Sequence, residues 1–359
     1  MTVLEESFSA LLRRTGDAER QLLEQRVETQ VNIHRQIIEA NVQRDRQHLA
    51  IVNFVVTRFE SGYYIHTKTG YAWIRVEPLF GLGGKSFDVA IYNNQSKVMI
   101  LVECKSGLSD ARREIKEILE KTQNAYDSKE SLSEMVGDDI ASLEFAVCVK
   151  AGLAPAARTA VLAVGAPVCI WEADIFGPSL FVDLHGQDST TEISLGRLHH
   201  DEKLRRNLLE GIKEAKAGRQ IAFLPSSHMC TILEEVTPFL RLKLERTQNQ
   251  GGEFSLEDIE NLTKLEISLQ NFDAKERKVL AEKILISGIN ADIFIDLTEE
   301  QTDLSLKKLK LASQVKSGRQ FNKDCHEKYV RHSARETVLQ KVIAELNNKL
   351  PRLEKFAST

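Results

Sequence analysis

No run in this 359-residue chain approaches the roughly 20 consecutive apolar residues that a membrane-spanning helix needs, so no membrane partner is expected. The acidic opening Met1-Thr-Val-Leu-Glu-Glu lacks the apolar stretch of a secretory signal, and a cytoplasmic location is the expectation. No C-x-x-C pair occurs among the five cysteines, Cys104, Cys148, Cys169, Cys230 and Cys325. Scattered and odd in number, they argue for reduced thiols and against zinc fingers or redox dithiols. Strong net charge is missing too. The formal value of −4 rules out a globally basic nucleic-acid binder, although a local patch could still serve. A phosphate-binding P-loop is also absent: Gly81-Leu-Gly-Gly-Lys85 has the wrong spacing and does not open a helix.

The charge that is present is unevenly spread. Residues 301–359 hold thirteen Lys and Arg against six Asp and Glu, a balance of +7, which leaves −11 for the rest. The basic residues include Lys307, Lys308, Lys310, Lys316, Arg319, Lys323, Lys328, Arg331 and Arg335. Such a run is a solvated helix face or a surface for DNA phosphates.

Glycine and proline are missing from residues 17–60, where Leu23, Val27, Val31, Ile38 and Val42 recur on one helical face. The spacing predicts a long helical region with a break near Asn41–Arg46, its first half packing on its own domain or forming a dimer contact. Beyond Ser61-Gly62 the period changes to two. Strands are expected at Tyr63–Lys68, Tyr71–Glu77, Phe87–Tyr92 and Val98–Lys105, the last two joined by Asn93-Asn94-Gln95-Ser96 as a hairpin. Helices at Ser109–Tyr126 and Ala154–Val164 then alternate with buried strands at Leu143–Val149 and Pro167–Trp171. The order predicts an α/β domain with a central mixed sheet, ending near Leu184. From about Asp201 the pattern is helical, with caps at Ser255 and Asp273 and connections at Gly251-Gly252 and Gly288. Three parts are expected: a helical arm (1–43), an α/β domain (44–185) and a helical, partly basic domain (200–359).

The chemistry-bearing stretch runs from Ser86-Phe87-Asp88 to Val102-Glu103-Cys104-Lys105. Val98-Met-Ile-Leu-Val102 is as apolar as a buried strand, yet it ends in two ionisable residues. Alternation puts Glu103 and Lys105 on one face, and hairpin parity adds Asp88 and Leu101 to it. Three ionisable groups at the rim of an apolar sheet are costly unless a metal or a substrate charge compensates. Two carboxylates, with the Cys104 carbonyl nearby, are the hard oxygen donors that Mg²⁺ prefers. Lys105 could position or deprotonate a water and offset charge on a phosphoryl transition state.

Asp88, a gap of fourteen residues, then Glu103-Cys104-Lys105 resembles the motif of the PD-(D/E)xK nuclease superfamily. The resemblance spans roughly Arg44 to Leu184. It implies a restriction-endonuclease-like core and a Mg²⁺-dependent enzyme cleaving DNA, with Asp88 and Glu103 as metal ligands and Lys105 as the third catalytic residue. A type II restriction endonuclease, acting as a homodimer, suits a nuclease core with its own accessory domain. The alternatives are a structure-specific repair or anti-phage defence nuclease, and a non-catalytic DNA-binding protein. Phe87 replaces the family's proline. No Glu lies in Arg46–Asn53, where many members carry one; Glu60 lies at the wrong helix end, and Glu77 is a substitute left unassigned. Gln123 and Tyr126 are similar to DNA-contacting residues of related exonucleases, one position out of register. Lys85 is a candidate backbone contact, and His199-His200 reads as a solvated loop pair.

Overall fold

The computed structural model describes residues 3–82, 85–173, 183–186, 199–213, 220–246, 252–265, 269, 272–298, 300–312 and 318–357. Two compact units are present: residues 1–43, 228–262 and 278–359 form one, and residues 44–227 and 263–277 the other. The division differs from the sequence-based one, because the N-terminal residues belong with C-terminal segments rather than standing apart.

Helix α1 (Val3–Leu12) is followed by α2 (Asp17–Arg58), a single 42-residue helix. The break expected near Asn41–Arg46 does not occur. No Gly or Pro interrupts the backbone there, and buried side chains continue on both sides, Val42 before and Ile51 and Val52 after. The unit boundary falls inside this helix.

The α/β unit continues with α3 (Tyr64–Thr69), β1 (Tyr71–Val76), β2 (Val89–Asn93), β3 (Val98–Lys105), α4 (Ala111–Asp127), α5 (Lys129–Val136), β4 (Ser142–Lys150), α6 (Ala154–Val164) and β5 (Cys169–Ala173). β6 (Asp183–Gly186), α7 (Glu202–Glu210) and β7 (Ile212–Lys213) follow. Residues up to 227, together with 263–277, belong to this unit too, not to a helical part beginning at 200. The strands form one mixed sheet in the order β1-β2-β3-β4-β5-β6-β7. β1, β2 and β3 are antiparallel neighbours, β3, β4 and β5 run parallel, and the short β6 and β7 add antiparallel pairs. Parallel neighbours need crossovers, and α4 with α5, then α6, provide them.

One strand of the expected set is a helix. Tyr63–Lys68 alternates in sequence, but α3 forms there because Ile65 and Thr69, four apart, are both buried. Gly70 ends it at φ +79°, its N–H donating to the His66 carbonyl at 2.7 Å.

Pleat alternation divides the core between the two faces. Leu101, Val147 and Ile170 lie on one face, in the same cluster as Ile115 and Ile118 of α4 and Ala157 and Val161 of α6. Cys104, Cys148 and Trp171 are lateral neighbours on the other face, where Phe59, the residue after α2, stacks on Trp171 at 5.5 Å between ring centroids. The sheet thus lies between α4 and α6 on one side and the last turns of α2 on the other.

The helical unit takes in α1, the first part of α2, and α8 (Met229–Arg246). β8 (Glu253–Phe254), α9 (Leu256–Leu265), α10 (Ala274–Asn290), β9 (Phe294–Asp296), β10 (Leu309–Leu311) and α11 (Gly318–Ala357) follow. β8, β10 and β9 make a small antiparallel sheet. Phe8, Leu12, Val27 and Val31 pack against Ala334, Val338, Leu339 and Val342 of α11. The apolar face of the N-terminal helices is therefore covered within the chain. No helix among the described residues is long and apolar enough to cross a membrane.

Candidate active site

β2 and β3 pair with Val89 opposite Val102 and Ala90 opposite Leu101. The register does not continue to Asp88, which lies in a bend and donates its N–H to the Val102 carbonyl at 3.0 Å. Its carboxylate therefore comes beside Cys104 rather than square opposite Glu103, while Glu103 and Lys105 share a face by alternation. Asp88 and Glu103 are buried, at 5% and 3% exposure, while Lys105 keeps 22% of its side chain accessible. The sheet brings together the three residues singled out in the sequence.

Two further side chains join them from helices. His48, on α2, places Nε2 3.1 Å from Asp88 Oδ2, and Lys121, on α4, places Nζ 2.6 Å from Glu103 Oε2. Glu103 Oε1 meets Lys105 Nζ at 2.9 Å, so its carboxylate lies between two lysines. The Cys104 backbone N–H donates to Asp88 Oδ2 at 2.6 Å, fixing that carboxylate to the strand. The charge compensation demanded by the burial of Asp88 and Glu103 is thus supplied in part by His48 and Lys121, neither of which the sequence had pointed out.

Electrostatics set the protonation states. Burial pushes the Asp88 pKa upward, but the charge and hydrogen bond of His48, the Lys121 charge and the Cys104 N–H outweigh it and hold the group at about 2. Burial disfavours the His48 imidazolium, yet Asp88 and, more weakly, Glu103 raise its pKa to about 9. Lys105 follows the same logic: desolvation lowers its pKa, and Glu103 and Asp88 raise it by more. At neutral pH the site therefore presents an Asp88 carboxylate, a His48 imidazolium and a Lys105 ammonium. Lys105 holds its proton, which suits it to positioning and charge stabilisation rather than to taking a proton from water.

Glu77 lies just beyond β1 in the left-handed backbone region, at φ +44°, and its N–H donates to the Asp88 carbonyl at 2.9 Å. A non-glycine residue in that region costs about 1 kcal/mol or more. Its carboxylate accepts from the Ser226 N–H at 2.8 Å and from the Ser226 hydroxyl. Burial, with a smaller contribution from the Asp88 charge, raises its pKa to about 7. Glu77 is therefore close to the site, with its carboxylate engaged by Ser226.

The donor set is compatible with Mg²⁺. Asp88 is held ionised, Glu103 adds a second hard oxygen donor from the neighbouring strand, and both lie at one end of the sheet. Lysines and an imidazolium can withdraw from a carboxylate as a divalent ion takes over its charge.

Other candidates stand as follows. His199 is not a solvated loop residue: it is 3% exposed, with Nδ1 2.6 Å from Glu144 and Nε2 accepting from the Trp171 indole N–H at 3.0 Å. Trp171 needs an acceptor and Glu144 a donor, and the two ring nitrogens of one imidazole serve both. His200 is exposed and meets the same carboxylate at 3.0 Å. Lys85 pairs with Glu120 at 2.8 Å on the surface. Gln123 donates to Asp127, and Tyr126 keeps 51% exposure with its ring edge against Phe145. Lys316 lies outside the described residues. All five cysteines are buried, and none is in a disulfide.

No protein-family model, curated protein or solved structure matches this chain.

His48 and Lys121 had a sequence signal of a weak kind. His48 falls one turn before the buried Ile51 and Val52, and Lys121 sits between Ile118 and Ala125 at helical spacing. A charged residue in line with an apolar helical stripe faces the sheet.

Proposed function

We propose that this chain is a Mg²⁺-dependent phosphodiester hydrolase acting on DNA, with Asp88, Glu103 and Lys105 at its centre. The observation that carries the proposal is the convergence of these three groups at one end of the paired strands β2 and β3, with the Asp88 carboxylate bound to the Cys104 N–H and Lys105 paired with Glu103. The strand pattern, antiparallel β1-β2-β3 followed by parallel β4 and β5 with helices on both faces, supports a restriction-endonuclease-like core.

Asp88 and Glu103 would hold the ion, which when bound supplies Lewis-acid polarisation of the scissile phosphate and a more acidic water. Lys105 donates hydrogen bonds to the attacking water or to the phosphoryl oxygens as their charge grows. His48 keeps Asp88 ionised and oriented, and as an imidazolium it offers a proton donor beside the reacting phosphate. Lys121 neutralises Glu103 in the resting site and is placed to move onto a DNA phosphate.

Among the activities that use such a site, a sequence-specific restriction endonuclease working as a dimer is proposed first, because a helical unit accompanies the α/β unit. A repair or anti-phage nuclease would use the same residues on another substrate. The full ion pairing of Glu103 by Lys105 and Lys121 favours one different reading, a non-catalytic DNA-binding protein whose acidic residues are structural.

The deciding experiment incubates the purified chain with plasmid and phage DNA in Mg²⁺ or EDTA. Discrete fragments that need Mg²⁺ support a restriction enzyme, and a smear supports a repair or defence nuclease. No cleavage of any DNA, with binding intact, would refute the enzymatic proposal.

A further inference from the structure

Within the helical unit, three side chains of metal-ligand type meet away from the site described above. Cys230 and Glu234 stand one turn apart on α8, and His326 comes from α11. Cys230 Sγ lies 3.4 Å from His326 Nδ1, which is 2.7 Å from Glu234 Oε1. All three donor atoms lie within 4.8 Å of one another.

Two chemistries use such a trio, and the geometry separates them. A nucleophilic cysteine triad needs both imidazole nitrogens, one toward the sulfur and the other toward the carboxylate. Here sulfur and carboxylate both face Nδ1, so no proton can pass from one to the other through the ring. Convergence of three donors on one small volume is instead the arrangement of metal ligands.

We infer that Cys230, Glu234 and His326 form a binding site for Zn²⁺ that links α8 to α11. A tetrahedral zinc ion, with bonds of about 2.3 Å to sulfur and about 2.0 Å to nitrogen, holds those two atoms about 3.5 Å apart. The observed separation matches that span, and the Nδ1–Oε1 distance would open by about half an ångström. Thiolate, imidazole and carboxylate together select a borderline-soft ion over Mg²⁺. Cys230 is fully buried beside Val42 and Val330, so its sulfur faces the other two donors rather than solvent. Glu234 and His326 keep 11% and 27% of their side chains accessible, which leaves a route for the ion and a fourth place for water. Because its ligands come from two helices, bound zinc stabilises their packing. The site does not depend on the hydrolase proposal.

Cobalt substitution tests it on the full, reduced, metal-stripped chain. Co²⁺ is expected to bind at about one ion per chain, with tetrahedral visible bands and a near-ultraviolet thiolate-to-cobalt band, both displaced by Zn²⁺. Cys230→Ser and His326→Gln should each abolish the thiolate band, and Glu103→Gln should keep it. Zn²⁺ should raise the wild-type melting temperature and leave that of His326→Gln unchanged. Since Cys230 is buried, circular dichroism checks the fold of its variant, and the partly exposed His326 carries the comparison if that variant does not fold. Absence of the thiolate band in the wild-type chain, or its survival in folded Cys230→Ser, would overturn the proposal.

Discussion

The Asp88 carboxylate receives a protonated imidazole and a backbone N–H within hydrogen-bonding distance, with the Lys121 charge beyond them. This arrangement links the site to pH. Asp88 moves from 3.8 to about 2, so its contribution to stability is present above 3.8 and lost as pH falls through 2. His48 moves from 6.5 to about 9, so its contribution is full below 6.5 and lost as pH rises through 9. Glu77 moves from 4.5 to about 7 by burial, and the folded state loses stability as pH rises across that interval. Urea midpoints should therefore fall from pH 5 to pH 9. In His48→Gln the part of the fall above pH 6.5 should shrink, leaving mainly the earlier fall due to Glu77. Equal slopes above pH 6.5 in both proteins would show that the imidazolium–carboxylate pair does not stabilise the fold. At this scale Asp88, Glu103 and Lys105 were legible because a buried strand ended in charge. Glu77 stayed ambiguous because its positive φ and its Ser226 partner depend on chain far away in sequence.

Helices and strands were legible where period and caps agreed. The expected helix Ala154–Val164 is α6, and Val98–Lys105 is β3, because apolar runs with clear ends leave one solution. The Asp273 cap is also present: its side chain accepts from the Glu276 N–H at 2.7 Å, and Glu276 accepts from the Asp273 N–H at 2.9 Å. Ser255, likewise, donates through its N–H to Asp258 at 2.8 Å. Short elements were less legible: six residues of alternating pattern at Tyr63–Lys68 fit either period, and the tertiary burial of Ile65 and Thr69 decided for helix. Gly288 was expected to mark a connection, but it lies within α10. The reason is a close approach, since a Cβ there would stand 2.2 Å from the Phe294 ring. Alanine at this position would gain about 1 kcal/mol in helix propensity. The clash should outweigh that gain, and Gly288→Ala should lose on the order of 1–3 kcal/mol net, measured by urea unfolding. A neutral or stabilising result would mean that Phe294 does not pack on the helix as described.

For the whole molecule, the sequence conveyed an α/β part and a helical part but not how the chain is shared between them. Residues 1–43 join C-terminal segments through apolar contacts separated by some 300 residues, such as Val27 and Val31 with Val338 and Val342, and no local pattern encodes such pairings. The basic C-terminal run is also less uniform than its composition suggests. Lys307 pairs with Asp296, Arg335 with Glu5, and Lys328 donates to the Asp292 carbonyl at 3.1 Å. Lys308, Lys323 and Arg331 are exposed. If the run binds DNA, Lys308→Ala, Lys323→Ala and Arg331→Ala together should reduce the slope of log affinity against log salt by about 0.9 for each phosphate no longer neutralised. Arg335→Ala should leave the slope unchanged and lower the melting temperature instead. An unchanged slope in the triple variant would assign the run to a solvated face.

The central claim is that Lys105 and its two carboxylates hydrolyse DNA rather than merely stabilise a sheet edge. Single-turnover cleavage by Lys105→Ala in Mg²⁺, with DNA binding measured on the same preparation in Ca²⁺, tests it most directly. The account predicts a loss of at least about a hundredfold in cleavage with binding retained, because a group that stabilises the transition state contributes little to ground-state affinity. Cleavage at the wild-type rate, or a wild-type chain that binds DNA and never cuts it, would contradict the account.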